Sequence, residues 1–126
     1  MENTELIKYA AEAEKNAYAP YSNFSVGAAL LGKNGKVYTG CNIENSSYGA
    51  SNCAERTALF KAVSEGEREF DKIAIVSSSG DYTYPCGICR QVLSEFMPDG
   101  TVVLFSESDG IKEFKVSALL PEAFRL

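Results

Sequence analysis

Hydrophobic and polar positions along the chain follow two periods, and the switches between them outline the elements. From Thr4 to Ala17, Leu6, Ile7, Ala10, Ala13 and Ala17 recur at helical spacing, with Asn3 or Thr4 as a cap and Pro20 closing the segment. Val26 to Leu31 is an apolar run of strand length. Gly32-Lys33-Asn34-Gly35 is turn chemistry, and Lys36 to Ile43 returns, which predicts a hairpin. Glu44 to Asn52 is polar and loop-like. Cys53 to Glu65 reads as a second helix, with Ala54, Ala58, Leu59, Ala62 and Val63 on one face and Gly66 at its end. Lys72 to Ser77 has the character of a buried strand. Cys86 to Met97 is a third helix, with Ile88, Val92, Leu93 and Phe96 inward and Pro98 as its stop. Thr101 to Phe105 and Glu113 to Val116 complete the strands, and Ser117 can cap a last short turn, Ala118 to Leu120.

This order predicts an α/β fold of three layers, αβα, with helices on both faces of a mixed five-stranded sheet. Helices of a dozen residues between strands favour parallel neighbours through right-handed crossovers. The last link, Ser106 to Lys112, is too short for a parallel crossover. The fifth strand is therefore expected to run antiparallel to the fourth.

Composition narrows the function classes. With 126 residues, the expectation is one domain spanning 1–126. The net charge, 12 − 17 = −5, argues against a polyanion partner, so no nucleic acid is expected. No apolar run approaches the ~18–20 residues of a membrane span. The charged start MENTELIKYAAEAEK lacks the apolar segment of a signal peptide, so the expected compartment is the cytoplasm. There is no histidine, which removes every Ser-His and Cys-His nucleophile pair and every histidine-containing metal site.

The chemistry lies in the cysteines. Cys53 opens the second helix, and Cys86 and Cys89 open the third. A helix start presents free N–H groups and a partial positive charge, which favours thiolate, the form that binds metal. If the two helices lie side by side, three thiolates converge on a tetrahedral ion, most often zinc. Three protein ligands leave one position open, as in catalytic zinc sites. Glu55 stands in the same first turn as Cys53, within reach of a water at that position; a plain first-turn carboxylate is the other reading. Arg56 can offset the thiolate charge by hydrogen-bonding a sulfur.

Cys41 is the alternative fourth ligand of a closed Cys₄ site. Strand alternation opposes this, because it puts Cys41 and Ile43 on one side, as core, and Asn42 and Glu44 on the other. Asn42 and Glu44 then form a polar pair suited to sugar hydroxyls, or simply a solvated strand end. Phe24 by habit belongs to a core, and Tyr48 to a surface or an interface.

Taken together, Cys53-Ala54-Glu55-Arg56 and Pro85-Cys86-Gly87-Ile88-Cys89-Arg90-Gln91 resemble the zinc-dependent cytidine deaminases. Gly40-Cys41-Asn42-Ile43-Glu44-Asn45, Tyr18-Ala19-Pro20-Tyr21-Ser22 and the stretch Glu113 to Phe124 extend the resemblance over essentially the whole chain. It is closest in type to the small, homotetrameric free-nucleoside branch.

The resemblance implies hydrolytic deamination of cytidine and 2′-deoxycytidine, with one zinc per chain on Cys53, Cys86 and Cys89. Zinc-activated water would attack C4, with Glu55 carrying its proton to N3 and then to ammonia. The Ala54 N–H would contact the pyrimidine O2, Asn42 and Glu44 would bind the ribose, and Phe24 would flank the base. Arg56 would neutralise the thiolates, and Tyr48 and Phe124 of neighbouring subunits would complete each site. Tyr84 departs from the pattern, since a small residue is usual before the Pro-Cys pair.

Three other readings remain at this point. One is deamination of another aminopyrimidine nucleoside. A nucleic-acid editing deaminase is a second, opposed by the acidic balance and the antiparallel fifth strand. The third is a non-catalytic Cys₄ interaction module.

Overall fold

The computed structural model describes residues Met1–Leu126. Helix α1 spans Asn3–Glu14, followed by the hairpin β1 (Val26–Gly32) and β2 (Val37–Cys41). Helix α2 (Ala54–Ser64) leads to β3 (Phe70–Ser77), α3 (Gly87–Phe96) leads to β4 (Thr101–Ser106), and β5 (Gly110–Lys115) runs into the short helix α4 (Val116–Leu119). The sheet order is β2-β1-β3-β4-β5. Only β3 and β4 are parallel neighbours, joined through α3; β4 pairs antiparallel with β5, as the short link requires.

Two cores flank the sheet. On one face Leu6, Ile7 and Ala10 of α1 pack on Ala29, Leu31, Ala74, Val76 and Val103. On the other, Ala54, Ala58, Leu59 and Ala62 of α2 and Leu93 of α3 pack on Leu30, Tyr38, Ile73, Ile75, Val102 and Leu104. The third layer expected from the alternation of strands and helices is therefore present, with α1 alone on its side.

Several boundaries differ from the sequence expectation. Helix α1 stops at Glu14 rather than Ala17. Its last turn tightens through i→i−3 bonds, Asn16 N–H to Ala13 and Ala17 N–H to Glu14, and Tyr18 N–H is taken by the carbonyl of Asn42. Asn3 does not cap α1. Glu2 stands at that position, while the Asn3 amide donates to Glu113 at 3.0 Å and accepts from Lys72 at 2.7 Å. Strand β5 begins at Gly110, earlier than expected, because Gly110 (φ 80°) lets the chain reverse directly into the ladder opposite Ser106.

The strand before the site ends at Cys41, not Ile43. Cys41 is only partly buried, and Ile43 is 46% exposed, so the pair is not core. Beyond Cys41 the chain leaves the ladder, and Ile43 is held only by isolated bridges to Tyr18 and Asn52. Ile88, expected inward, is 63% exposed. It lies in the first turn of α3, before that helix settles on the sheet through Leu93.

One glycine sets how closely the site approaches the sheet. A Cβ on Gly40 of β2 would lie 2.5 Å from the Ala54 carbonyl oxygen and would also strike the Ala58 nitrogen. The first turn of α2 therefore sits directly against β2, and Glu55 is buried with it.

Candidate metal centre and active site

Cys53 and Cys86 stand at the N-terminal caps of α2 and α3, and Cys89 lies one turn into α3. Both caps have extended backbone and make no side-chain capping bond, so their sulfurs are free to meet. The three sulfurs lie within 4.8 Å of one another, and Cys53 Sγ is 3.8 Å from Cys86 Sγ. Two thiolates bound at about 2.3 Å to one tetrahedral zinc stand about 3.8 Å apart, so the donor set fits that ion.

The charges of the cluster point the same way. Hydrogen bonding from the Cys89 thiol, opposed by burial and reinforced by Arg56, pulls Cys53 down to about 5. Cys89 is pushed strongly up, first by that shared proton and then by burial. Sulfurs this close ionise together only around a cation. Arg56 Nη2 donates to Cys53 Sγ at 3.3 Å. Its Nε is buried without a hydrogen-bond partner, leaving the anionic sulfurs as its compensation. Burial disfavours the Arg56 charge, yet its hydrogen bonds to Cys53 and Cys89 outweigh this and hold it firmly protonated.

Glu55 is 5% exposed, in the turn that starts at Cys53. Burial lifts its carboxyl to about 7; the Cys53 charge adds to the rise, and hydrogen bonds from its own N–H and the Cys89 thiol hold it back. A carboxyl near neutrality can both take and give a proton. Ala54 is fully buried at the first position of α2, where its N–H has no intrahelical acceptor.

A cleft of about 340 Å³ opens over the cluster, lined by Asn42, Glu44, Tyr48, Asn52, Cys53, Arg56 and Ile88, with Gly49 and Ser51. The structure thus brings Asn42, Glu44 and Tyr48 to the same cavity as Cys53 and Arg56. Both polar residues also brace its rim. Asn42 Oδ1 accepts from Val26 N–H at 2.9 Å, and its Nδ2 donates to the Phe24 carbonyl at 2.7 Å. Glu44 accepts from the N–H groups of Tyr21 (2.9 Å) and Ser22 (3.1 Å) and from the Ser22 hydroxyl. The Ser22 hydroxyl leads in holding the Glu44 carboxyl below its ordinary range.

Phe24 and Phe124 do not line this cleft. Phe24 is 37% exposed on the braced segment, and Phe124 is 65% exposed, with its carbonyl bonded to Gln91 Nε2 at 3.1 Å. Tyr48 is 73% exposed and packs edge-on against Tyr21, ring centres 5.6 Å apart. Tyr84 packs edge-on against Phe114 at 5.7 Å, which gives the unusual residue before Pro85 a packing role on β5.

Cys41 lies on the wrong side for a fourth ligand. It pairs with Gly27, whose Cβ direction meets Glu14 of α1, so Cys41 faces the α1 layer. The metal cluster lies across the sheet, and a closed Cys₄ site is excluded by that geometry. The hydrophobic pattern does not mark Ile88 or Asn52, which line the cleft, or Ser22, which bonds Glu44, as site residues. The signal for Ile88 was available, since the middle residues of a C-x-x-C turn at a helix start point away from the core.

A family model described as the cytidine and deoxycytidylate deaminase zinc-binding region matches residues 1–105. The cytidine deaminase of Halalkalibacterium halodurans is 54% identical over 125 residues, covering 98% of this chain and 95% of its own length. That of Sporosarcina psychrophila is 50% identical over 125 residues, covering 98% and 92%. The crystal structure of cytidine deaminase from Burkholderia pseudomallei matches with a TM-score of 0.94 at 50% identity, covering 98% of this chain and all of that one.

The three-sulfur centre makes a prediction about metal content. Cys41→Ser should keep one zinc per chain, and Cys86→Ser should lose most of it, by elemental analysis of dialysed protein. Equal loss in both variants would show that Cys41 is a ligand.

Proposed function

We infer what this chain does from the fact that it belongs to the cytidine and deoxycytidylate deaminase family. It hydrolyses cytidine and 2′-deoxycytidine to uridine and 2′-deoxyuridine, consuming one water and releasing one ammonia. The observation that carries this reading is a buried carboxyl, Glu55, sharing a helical turn with a three-sulfur centre beneath a cleft.

Bound by Cys53, Cys86 and Cys89, zinc supplies Lewis acidity that makes water nucleophilic near neutral pH. Glu55 moves the protons: it takes one from the water that adds at C4, passes one to N3, and later delivers one to the departing ammonia. Arg56 stabilises the sulfur charge and keeps the centre from becoming too electron-rich. The Ala54 N–H is free to hold the pyrimidine O2. Asn42 and Glu44 grip the ribose, and Phe24, outside the cleft's lining on the segment that Asn42 braces, flanks the base from the edge.

The exposed apolar groups around the cleft support an assembly. Tyr48 and Ile88 at the cleft, and Ile43 and Phe124 outside its lining, are each at least 46% exposed, and exposed apolar groups mark interaction surfaces. We propose a homotetramer in which Tyr48 and Phe124 of neighbours cover each pocket, with the whole chain, 1–126, acting as one catalytic domain. No helix is long and apolar enough to cross a membrane. The proposed setting is pyrimidine salvage in the cytoplasm, with a free nucleoside rather than a nucleic acid as the partner.

Glu55→Gln should keep zinc and fold but lose about 10²–10⁴-fold in turnover, followed by the fall in cytidine absorbance with ammonia release. A variant that remains active would remove Glu55 from the proton path. Because Glu44 also braces the Tyr21-Ser22 segment, its sugar role needs a ratio. Glu44→Ala should lower kcat/KM for cytidine more than for 3′-deoxycytidine, and equal losses would assign it to bracing alone. Deleting Phe124 to Leu126 should weaken both assembly, read by sedimentation, and turnover, while zinc stays bound. A fully active monomer would contradict the shared site.

A further inference from the structure

Arg90 follows Cys89 directly, but its side-chain bonds go elsewhere. Nε donates to the Pro85 carbonyl at 2.7 Å, and Nη1 donates to the Leu119 carbonyl at 3.0 Å. One planar guanidinium thus joins the peptide before Cys86 to the end of α4, 34 residues further along the chain. Its rigid fork suits this two-carbonyl task better than a single ammonium would.

The Pro85-Cys86 peptide depends on such a contact. The chain from Ser78 to Cys86 contains no helix or strand, so no ladder fixes Cys86 from its N-terminal side. Pro85 is fully buried and has no N–H, so its carbonyl is the one polar group by which the residue can be held. No backbone N–H reaches that carbonyl; Arg90 does. Cys86, by contrast, is the exposed member of the three-sulfur set, so the least packing surrounds it.

We propose that Arg90 is a positioning residue for the metal centre: it clamps the Pro85 carbonyl to the Leu119 carbonyl and so holds the Cys86 sulfur in the geometry that retains zinc. The inference rests on the zinc-holding role of the three cysteines and is independent of which nucleoside the enzyme takes. A residue that orients a ligand in this way typically contributes about 10–100-fold in metal affinity.

The test compares full-length Arg90→Gln, Arg90→Lys and the Phe124 to Leu126 deletion, each loaded with zinc or with cobalt(II). Two quantities are read: zinc release to a chromogenic chelator, and the sulfur-to-cobalt absorption bands. Arg90→Gln should release zinc about 10–100-fold faster and shift the cobalt bands. Arg90→Lys keeps the charge but reaches one carbonyl, so it should fall between Gln and the parent. The deletion removes the Phe124 and Arg125 bonds to Gln91 and Ser94 of α3 but leaves Leu119 in place, so it should release zinc more slowly than Arg90→Gln and keep the parental cobalt bands. Parental release and bands in a folded Arg90→Gln would overturn the proposal. If Arg90→Gln does not fold, parental behaviour of Arg90→Lys would overturn the two-carbonyl clamp. Release in the deletion as fast as in Arg90→Gln would also overturn it, by tracing the effect to a general loosening of the outer face of α3.

Discussion

Three thiol groups within 4.8 Å of one another do not share negative charge without a cation to hold it. That constraint organises the chemistry of this chain. Two helix starts, Cys53 on α2 and Cys86 on α3, supply backbone fields that favour thiolate, and Cys89 closes the set from inside. Among the thiols themselves the charge divides unevenly, with Cys53 drawn down to about 5 and Cys89 driven up. With zinc, all three can ionise. The net charge of such a centre is −1, and Arg56 lies at 3.3 Å from Cys53 to meet it.

The sheet makes the convergence possible. Helices α2 and α3 lie on one face and start at the same edge, because each is the crossover that brings the chain back along the sheet. Gly40 lets α2 descend onto β2, which takes Glu55 out of water and into contact with the cluster. A carboxyl lifted toward neutrality by burial is a consequence of that close approach. A second cleft of about 360 Å³, between Lys33, Phe70, Asp71, Met97 and Asp99, opens at the opposite end of the strands and holds no comparable set of groups.

Much of this was legible in the chain. The cysteine spacing and the carboxylate two residues after Cys53 identify the centre, because helix starts are readable from local pattern. The antiparallel β5 follows from the length of one link. Most of the failures share a cause, since they concern segments whose conformation is set by distant partners; Ile88 is the exception, legible from the local C-x-x-C turn. Alternation placed Cys41 and Ile43 together in the core, but β2 ends when the Asn42 side chain bonds the Phe24-Val26 segment, and Ile43 is left exposed. Helical periodicity placed Ile88 inward, although the first turn of α3 overhangs the cleft. The bracing bonds of Glu44 to Tyr21 and Ser22, and of Arg90 to Pro85 and Leu119, span separations that no local window contains, except for the five residues from Pro85 to Arg90.

The chemistry depends most on a zinc ion held by three sulfurs with one position left to solvent. X-ray absorption at the zinc edge of the dialysed protein reads this directly. The expected first shell is three sulfurs at about 2.3 Å and one oxygen donor at about 2.0–2.2 Å. Four sulfurs, or a shell of light atoms alone, would contradict it.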